Sequence, residues 1–398
     1  MAMADLPVIG IDDADYWQDI YPPLHEALAV SPLARTPDGG LYVLGHDEVD
    51  AVLKDKRFEA ADLLAMMGLD SGPVWEWWSR MMFSNNDPIH GRIRRLVNRA
   101  FTPKPVEQKR GMIRGVARQL VADAVDQGSV DVMTTVAHHL PSMVMANLLA
   151  IPEADRQQFA EWTTDIGLAF GAAGDAAVRT RVEAALAGLD AYVEHLVTER
   201  RQHLGTDLLS ELIGIEEAGD RLSTRELIDL IENLLFAGHD TTRGAVGVVL
   251  VQMVAHPEVR ASVTADRRTA VQIVEEVLRY EAITYTTSRM NREPVEIAGV
   301  EIPEGTPVGL CLPAASRDGR HYPDPDRFDI TRTNINPPTF GAGAHYCIGA
   351  WLARAELQEL ILAVADLTTS IDVEVPPRWT PFAHIRRYEA LHMRFDAA

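Results

Sequence analysis

A long amphipathic pattern between Ser223 and Pro257 limits the folds that this chain can adopt. Ser223 and Glu226 have the spacing of a capping box, in which each side chain bonds the other residue's backbone N–H. Apolar residues then recur at i, i+3, i+4 and i+7 from Leu227, as on one face of a helix. A helix of about 33 residues is roughly 50 Å long at ~1.5 Å per residue. We therefore expect one helix that crosses the whole core.

The segment Phe340–Gly349 (FGAGAHYCIG) is a glycine-rich turn that leads into a cysteine. The apolar periodicity after it predicts a helix from about Ile348 to Leu367. A cysteine at a helix N-terminus lies at the positive end of the helix dipole, which lowers the thiol pKa and favours the thiolate. Gly343 and Gly349 have no side chains that would block a flat ligand or hide backbone N–H groups from the sulfur. The segment therefore indicates a metal-bound thiolate at Cys347.

Charge and cysteine count narrow the classes of protein further. The chain has two cysteines in 398 residues, and this sparse count is typical of a reducing cytoplasm. We expect Cys311, in a β-like run, to be a buried structural thiol. The net charge of −21 disfavours nucleic-acid binding. The N-terminus does not resemble a signal peptide, and no apolar stretch reaches the length of a membrane span, so we expect a cytoplasmic protein without a membrane anchor.

The remaining pattern predicts a mainly α (α+β) chain. A β-leaning stretch occurs at Leu41–Leu44, and the pattern is mainly helical over about 47–287. From Val295 apolar and polar residues alternate as in strands, and the C-terminal tail is also β-like. An irregular segment rich in Pro and Asp covers about 321–338. No repeat or low-complexity linker interrupts the chain, and its length alone leaves the number of domains open.

The cysteine segment resembles the haem-binding loop of the cytochromes P450, Phe-Gly-x-Gly-x-His/Arg-x-Cys-x-Gly, at every position. The resemblance covers the chain from about Leu41 and implies the fold of the soluble bacterial-type members, a helical triangular prism with small β-sheets. It therefore also implies a single domain over 1–398. It implies haem b as the cofactor and Cys347 as the metal ligand, whose thiolate favours O–O cleavage. By the same resemblance, Phe340 and Gly349 lie beside the haem and His345 meets a haem propionate.

Three further basic residues match positions that bind the haem propionates in this family. His90 and Arg94 lie at i, i+4 in a run that begins DPIH, one residue shorter than the commoner lead-in, and Arg289 follows the Glu-x-x-Arg helix described below. Two propionates carry two negative charges, so several buried cations are physically expected. The resemblance therefore assigns His90, Arg94 and Arg289 to cofactor binding.

The long helix has an interruption in its apolar pattern at AGHDTT, which begins at Ala237 and matches the family's Ala/Gly-Gly-x-Asp/Glu-Thr. By the resemblance, Ala237 and Gly238 lie against the haem, and Gly238 lets the helix open over the iron. Thr241 bonds back to a carbonyl of the preceding turn and stabilises that opening. Asp240 and Thr241 are the catalytic residues that deliver protons for dioxygen activation. His239 occupies the variable position and receives no catalytic role.

Glu276 and Arg279 match the family's Glu-x-x-Arg, and at i, i+3 their side chains share a helix face. In the family this pair holds its helix against the irregular segment before the haem loop. Here that segment includes the run DPDRF from Asp324, which resembles the family's Pro-x-x-Phe. The resemblance therefore predicts a structural network of Glu276, Arg279 and Arg327.

The resemblance implies a monooxygenase reaction, in which O₂, two electrons and two protons give one inserted oxygen atom and one water. The chain has no flavin or ferredoxin segment, so the expected partners are a ferredoxin and its NAD(P)H-dependent reductase. An arginine cluster is the expected docking site for an acidic ferredoxin, since screening makes the local patch decisive. The cluster consists of Arg92, Arg94, Arg95 and Arg99.

Two alternatives remain open. A peroxide-driven enzyme of the same fold is disfavoured because such enzymes lack the acid–alcohol pair that Asp240 and Thr241 supply. A non-catalytic haem sensor or carrier is disfavoured because Gly238, Asp240 and Thr241 are all retained.

The resemblance also places a substrate pocket, whose expected lining is mostly apolar and aromatic. The tryptophans in the segment Asp62–Phe83 form a stripe that is more often core than pocket. We expect a hydrophobic small-molecule substrate such as a terpenoid, steroid, fatty acid or polyketide. Besides parts of that segment and Ala237, the residues assigned to the pocket are Leu234, Ile283, Thr284, Thr286, Phe382 and Ala383.

Overall fold

The computed structural model describes residues 2–169, 176–217, 222–333, 335–382 and 384–398. The α-helices are α1 (Tyr21–Val30), α2 (His46–Lys54), α3 (Leu63–Met66), α4 (Pro73–Arg80), α5 (Ile89–Val97), α6 (Pro103–Gln127), α7 (Val132–Thr135), α8 (His139–Leu148), α9 (Arg156–Gly167), α10 (Ala176–Gln202), α11 (Leu208–Glu217), α12 (Thr224–Ala255), α13 (Pro257–Ala265), α14 (Thr269–Tyr280), α15 (Leu312–Ser316) and α16 (Ala350–Leu367). Short 3₁₀ turns lie at Met3–Asp5, Tyr16–Gln18, Met82–Ser84, Asn98–Phe101, Glu153–Asp155, Pro338–Phe340 and Gly343–His345. No helix in these ranges combines the length and the apolar composition that a membrane crossing requires.

The strands are β1 (Leu33–Arg35), β2 (Leu41–Val43), β3 (Phe58–Ala60), β4 (Ser129–Asp131), β5 (Thr286–Asn291), β6 (Val295–Ile297), β7 (Val300–Ile302), β8 (Pro307–Cys311), β9 (Thr368–Val373) and β10 (His392–Ala397). They form three small sheets, with strand orders β1-β2-β8-β5-β3, β4-β10-β9 and β6-β7. Strands β2 and β8 are parallel, and the other pairs are antiparallel. The expected mainly helical chain with small sheets is confirmed.

Helix α12 confirms the expected long helix, with 32 residues from Thr224 to Ala255. Ser223 is its N-cap, and both halves of the capping box with Glu226 are present. His256 caps its C-terminus, and Pro257 then begins α13. The apolar periodicity and the cap residues therefore predicted both ends of this helix correctly.

The expected opening at Gly238 does not interrupt α12, because the helix is continuous through this residue. The Thr241 hydroxyl does donate to the Ala237 carbonyl oxygen at 2.9 Å, but it does so within regular helix. A glycine in a helix interior costs only about 1 kcal/mol. The helix buries apolar residues on both sides of Gly238, from Leu227 to Met253, and this burial outweighs that cost.

Helix α16, which follows the cysteine segment, lies deep in the main apolar core. It packs along α6 and also contacts α12 and α14. Glu359 of α16 is only 1% exposed, and its carboxylate lies 3.2 Å from Arg110 Nη1 and 2.8 Å from Arg114 Nε of α6. Buried apolar packing and these ion pairs thus hold the helix behind the cysteine in place.

Strand β8 ends at Cys311, which is fully buried. Burial raises the pKa of its thiol to about 12. A neutral, buried thiol agrees with the structural role expected for this cysteine.

The close approach of α12 to the C-terminal segment can be tested at Gly244. A Cβ there would lie 2.5 Å from the Arg386 carbonyl oxygen and 2.9 Å from Ile283 Cγ2. Because a backbone oxygen cannot swing away, Gly244→Ala is expected to lower the free energy of unfolding by about 1–3 kcal/mol. Gly115 of α6 is an exposed helical control with no atom within 4 Å of such a Cβ. Gly115→Ala is expected to raise the free energy of unfolding by about 0.5–1 kcal/mol. Urea unfolding of both variants measures these changes. Equal changes in the free energy of unfolding would contradict the close approach at Gly244.

Candidate functional site

Two adjoining cavities lie between α12 and the segment Phe340–Gly349. The cysteine-side cavity has a volume of about 250 Å³, and Cys347, Gly349 and Gly238 line it. The arginine-side cavity has a volume of about 300 Å³, and Arg289 lines it. The two cavities share the lining residues Ala237, Thr241, Thr284, Thr339 and Phe340.

The cysteine segment folds into a tight loop. Its ends are joined by the Cys347 N–H, which donates to the Phe340 carbonyl oxygen at 2.8 Å. Gly343 has a φ of 66°, and a Cβ on it would overlap the carbonyl oxygen of Leu53. The Arg354 guanidinium lies 4.3 Å from the centre of the Phe340 ring. Packing on both sides therefore fixes the loop, and the loop fixes the position of the sulfur.

The loop leaves an open cradle beside the sulfur. The Cys347 side chain is exposed to the cysteine-side cavity. Gly349 is the N-cap of α16, and a Cβ on it would meet no atom within 4 Å. A side chain at this position would occupy the cavity, so glycine here preserves room for a ligand against the sulfur.

The expected lowering of the Cys347 thiol pKa is wrong. Desolvation by the surrounding protein raises this pKa, and it outweighs the Gly349 N–H and the positive charges of Arg94 and Arg354, which lower it. Helix α16 begins only at Ala350, and the effect of a helix dipole falls off beyond the first turn. A thiolate here is therefore favoured by a cation bound directly to the sulfur, as in metal sites.

The basic residues predicted to meet the propionates come together at one edge of the cavities. The ring of His90, which is buried, stacks on the ring of His345 with their centres 4.0 Å apart. Arg94 donates to the carbonyl oxygen of Tyr346, inside the cysteine segment. Arg289 and His345 both line the arginine-side cavity.

This edge carries positive charge that the described residues do not neutralise. Arg289 is 6% exposed, and burial lowers its pKa to about 10. Burial and the positive charges of His90, Arg289 and Arg94 lower the pKa of His345 to about 3. Within the described parts of the chain, no carboxylate contributes to the shifts of Arg94 or Arg289. The edge is therefore built to receive negative charge from a ligand.

The acid and the alcohol of α12 lie on the arginine-side cavity. Asp240 and Thr241 both line it, and Thr241 also lines the cysteine-side cavity. Asp240 Oδ2 lies 3.7 Å from Arg387 Nη1, a contact that no sequence spacing indicated because Arg387 belongs to the C-terminal segment. His239 is 3% exposed and lies against His138, and it lines neither cavity.

Glu276 and Arg279 form a fully buried ion pair, with 0% exposure for both side chains. Arg279 donates to Glu276 from Nη2 at 2.7 Å and from Nε at 2.8 Å. The same guanidinium donates to the carbonyl oxygens of Ser316, Pro325 and Arg327. The pair thus joins α14 to the irregular segment, as the resemblance implied.

The role predicted for the Arg327 side chain is wrong. This side chain is 68% exposed, and its nearest acid is Asp329 at 3.6 Å. Arg332 takes the expected place, since its side chain is 12% exposed and its Nε lies 3.3 Å from Glu276 Oε1. The Asp329 N–H also donates to Glu276 at 2.8 Å, so the chain turns at this point and brings Arg332 back to the pair.

Four of the residues predicted by name to form the substrate pocket line a cavity. Ala237 and Thr284 line both cavities, and Leu234 and Ile283 line the cysteine-side cavity. From the segment Asp62–Phe83, Trp78 and Phe83 reach the arginine-side cavity. Phe236, which was not predicted, lies beside both of them. The centre of its ring is 6.5 Å from that of Trp78 and 6.2 Å from that of Phe83.

Two residues predicted for the pocket line neither of these two cavities, and a third cannot be placed. Thr286 is buried and lines neither cavity, whereas the next residue, Thr287, lines the arginine-side cavity. Phe382 is 49% exposed and packs near Trp17, with the two ring centres 6.3 Å apart. Ala383 lies outside the described residues.

The tryptophan stripe serves both as core and as cavity wall. Trp77 Nε1 donates to Glu232 Oε2 of α12 at 2.9 Å, and this hydrogen bond is buried. It holds α4 on α12, so that Trp78, the next residue, reaches the arginine-side cavity. Trp75 points elsewhere and donates to Asp62 at 2.8 Å.

The revised network gives a paired test with Arg332→Ala and Arg327→Ala. Loss of Arg332 removes a charge-assisted contact to buried Glu276 and is expected to lower the free energy of unfolding by about 1.5–3 kcal/mol. Arg327→Ala leaves its backbone carbonyl in place for Arg279, so a change within about 0.5 kcal/mol is expected. Glu276→Ala, which leaves a buried guanidinium uncompensated, is expected to cost about 3–5 kcal/mol. Denaturant unfolding compares all three, and a larger effect of Arg327→Ala than of Arg332→Ala would contradict this network.

Comparison with known proteins identifies the family. Residues 175–365 match the family model described as cytochrome P450. The chain is 33% identical over 405 residues to the luteothin monooxygenase of Streptomyces thioluteus, covering 99% of this chain and 97% of that one. It is 32% identical over 395 residues to the 6-deoxyerythronolide B hydroxylase of Saccharopolyspora erythraea, covering 96% of each. The crystal structure of P450BioI in complex with an acyl carrier protein ligated with hexadec-9Z-enoic acid matches with a TM-score of 0.89 and 30% identity, over 96% of this chain and 100% of that one.

The cofactor of this family, haem b, fits the residues present. The cradle beside Cys347 has room for a flat group, and the unneutralised positive edge at Arg94 and Arg289 suits two propionates. The fold, the motif and the relatives agree, and the chain belongs to the cytochrome P450 family as a haem-binding monooxygenase.

Proposed function

We propose that this enzyme inserts one atom of O₂ into a hydrophobic small molecule, by hydroxylation or epoxidation, with electrons from a separate ferredoxin and its reductase. The observation that carries this proposal is the shared lining of one cavity by Cys347 and Thr241. A metal-binding sulfur and a proton-carrying hydroxyl thus face the same space from different elements, with Asp240 beside them.

The haem-holding residues follow from charge and position. Cys347 would bind the iron, and Phe340 and Gly349 would lie on the same side as the sulfur. Ala237 and Gly238 would bound the cofactor from α12. When bound, the haem supplies the site at which dioxygen binds and is reduced.

The propionates would lie at the positive edge formed by His90, Arg94, Arg289 and His345. Burial is the main cause that lowers the pKa values of all four residues. A nearby negative charge favours the protonated form of each base. It would therefore offset the free-energy cost of burying these positive charges. Carboxylate binding here is therefore coupled to the stability of the site.

Asp240 and Thr241 would move protons into the cavity. The Thr241 hydroxyl donates its hydrogen to Ala237 O, so its oxygen lone pairs are left to accept a hydrogen bond from a water molecule or from protonated Asp240. The Arg387 Nη1 atom lies 3.7 Å from Asp240 Oδ2, so a positive charge lies beside this carboxyl group. This acid–alcohol pair also argues against a peroxide-driven enzyme and against a haem sensor, neither of which needs protons delivered at this position.

The lining of the arginine-side cavity supports a hydrophobic substrate. Trp78, Phe83 and Phe236 supply aromatic walls, and apolar walls bind carbon skeletons without a demand for polar groups. The names of the matched relatives, which refer to luteothin, a deoxyerythronolide and a fatty-acyl chain on a carrier protein, agree with this class.

The docking patch for the ferredoxin would be smaller than the arginine cluster. Arg95 and Arg99 are exposed, whereas Arg92 is half-buried and pairs with Glu226, and Arg94 faces Tyr346. Arg95 and Arg99 would therefore supply the charges that attract an acidic partner.

We also propose that residues 1–398 form one domain, since one cluster of buried apolar residues extends from Leu64 to Phe395.

The proton role of Thr241 is tested by the coupling of product to electrons. Thr241→Ala is expected to keep haem binding, substrate affinity and nicotinamide oxidation, while a larger share of the reduced oxygen leaves as peroxide. The measurement is product formed per nicotinamide consumed, with peroxide assayed in parallel. Thr198 of α10 makes the same bond to a carbonyl four residues earlier, at 2.8 Å, so Thr198→Ala controls for a simple helix effect. Coupling in Thr241→Ala equal to that of Thr198→Ala would rule out the proposed role.

Asp240→Asn removes the ionisable group but keeps the size of the side chain. It is expected to slow substrate turnover by about 10²–10⁴-fold, the usual contribution of a positioned general acid. Steady-state kcat measured with saturating partner proteins reports this effect. A kcat within about threefold of the parent enzyme, too small for a general acid, would show that protons enter without this carboxylate.

The ligand role of Cys347 is tested by Cys347→His. The parent enzyme, reduced and exposed to CO, is expected to show the red-shifted Soret band of thiolate ligation, with one haem b per chain. The histidine variant loses that band even where haem stays bound. Retention of the thiolate spectrum in Cys347→Ala would overturn the assignment.

A further inference from the structure

We propose that His46, Asp47 and His321 form a surface Zn²⁺ site, separate from the haem site. His46 and Asp47 begin α2, and His321 lies in the irregular segment. One ligand atom from each of the three side chains lies within 4.8 Å of the other two. Elsewhere in the described ranges, no three His, Cys, Asp or Glu side chains meet this condition.

The measured spacings agree with a zinc centre. Asp47 Oδ1 lies 3.3 Å from His46 Nδ1 and 3.5 Å from His321 Nδ1. Zinc bonds of about 2.0–2.2 Å in a tetrahedral arrangement place neighbouring ligand atoms roughly 3.3–3.5 Å apart. Two imidazoles with one carboxylate suit Zn²⁺ far better than Ca²⁺ or Mg²⁺, which prefer oxygen ligands. Water would supply the fourth ligand.

One ligand is held in place and the other two are free to adjust. His46 is 8% exposed, its backbone N–H donates to Asp318 at 2.9 Å, and its ring meets the edge of the Tyr322 ring. The His46 and His321 rings are stacked, with centres 3.4 Å apart and planes 17° from parallel, so one ion cannot lie in both ring planes. The side chains of His321 and Asp47 are 37% and 84% exposed. Zinc binding would therefore turn His321 out of the stack while His46 stays.

The net charge around the site favours a cation, although two nearby groups are positive. These groups are the N-terminus of α2 and the guanidinium of Arg320, and both disfavour binding of a cation. Arg320, however, already pairs with Glu48 at 2.9 Å and with Asp318 at 2.6 Å. Asp47 adds a carboxylate that points to solvent, and the whole chain has a net charge of −21, which raises the local concentration of cations.

The site would join two elements that support the cysteine loop. Helix α2 approaches that loop at its other end, where the Leu53 carbonyl packs on Gly343. The irregular segment with His321 leads into the same loop along the chain. Zinc would therefore clamp α2 to this segment, and the clamp would slow local opening around the haem.

The experiment uses the untagged holoenzyme, freed of metal by EDTA and desalted, and titrated with ZnCl₂ by calorimetry. One zinc per chain is expected in addition to the haem iron. His321→Ala, at an exposed position that does not endanger folding, and Asp47→Asn are each expected to weaken zinc binding by more than about tenfold. His195→Ala is the matched control, because His195 is exposed and lies 3.5 Å from Glu199 without belonging to such a group of three.

A second readout measures the clamp without using enzymatic turnover. Zinc is expected to raise the thermal midpoint of the parent enzyme and of His195→Ala, and to slow haem transfer to apomyoglobin. His321→Ala should show neither effect. Zinc binding that is absent in the parent enzyme, or equally tight in His321→Ala, would overturn the proposal.

Discussion

The buried pair of Glu276 and Arg279 is the interaction on which the cofactor site depends. Both side chains are fully removed from solvent, and an ion pair in such a place is costly unless further hydrogen bonds complete it. The structure completes it with the carbonyls of Pro325 and Arg327 and the Asp329 N–H, all from the irregular segment, and with the Ser316 carbonyl at the end of α15. The cost of burying the charges is therefore met only when that segment is folded against α14. Since the segment leads into the cysteine loop, the pair makes the position of the sulfur part of the global fold.

The site itself is organised by charge that the protein does not neutralise alone. Burial lowers the pKa values of Arg289 and His345, and desolvation by the protein around the cavity raises that of the Cys347 thiol. Each shift disfavours the charged form, yet each charged form is what an iron porphyrin with two propionates would stabilise. One ligand would therefore reverse all three pKa shifts, if it placed a cation at the sulfur and negative charges beside Arg289 and His345. This makes cofactor binding and folding of the loop mutually dependent.

Much of this arrangement could be predicted from the sequence, because it is carried by local patterns. The capping box predicted the start of α12, and the cysteine segment, the Glu-x-x-Arg pair and the acid–alcohol pair identified the residues that meet at the cavities. What failed depended on tertiary geometry. Arg332 rather than Arg327 reaches Glu276 because of a turn at Asp329. The thiol pKa was misjudged because burial outweighs a helix dipole that begins three residues later.

The contact between Asp240 and Arg387 shows how far such tertiary geometry can reach into the chemistry. Gly244, one turn after Asp240 on α12, has no side chain, so the Arg386 backbone comes close to the helix. Arg386 is held there by Glu281, 2.9 Å from its Nη1, and its N–H donates to the Ile283 carbonyl at 2.7 Å. Arg387 follows directly and therefore arrives beside Asp240. The missing Cβ of Gly244 and the buried ion pair of Arg386 with Glu281 thus decide which cation lies beside Asp240.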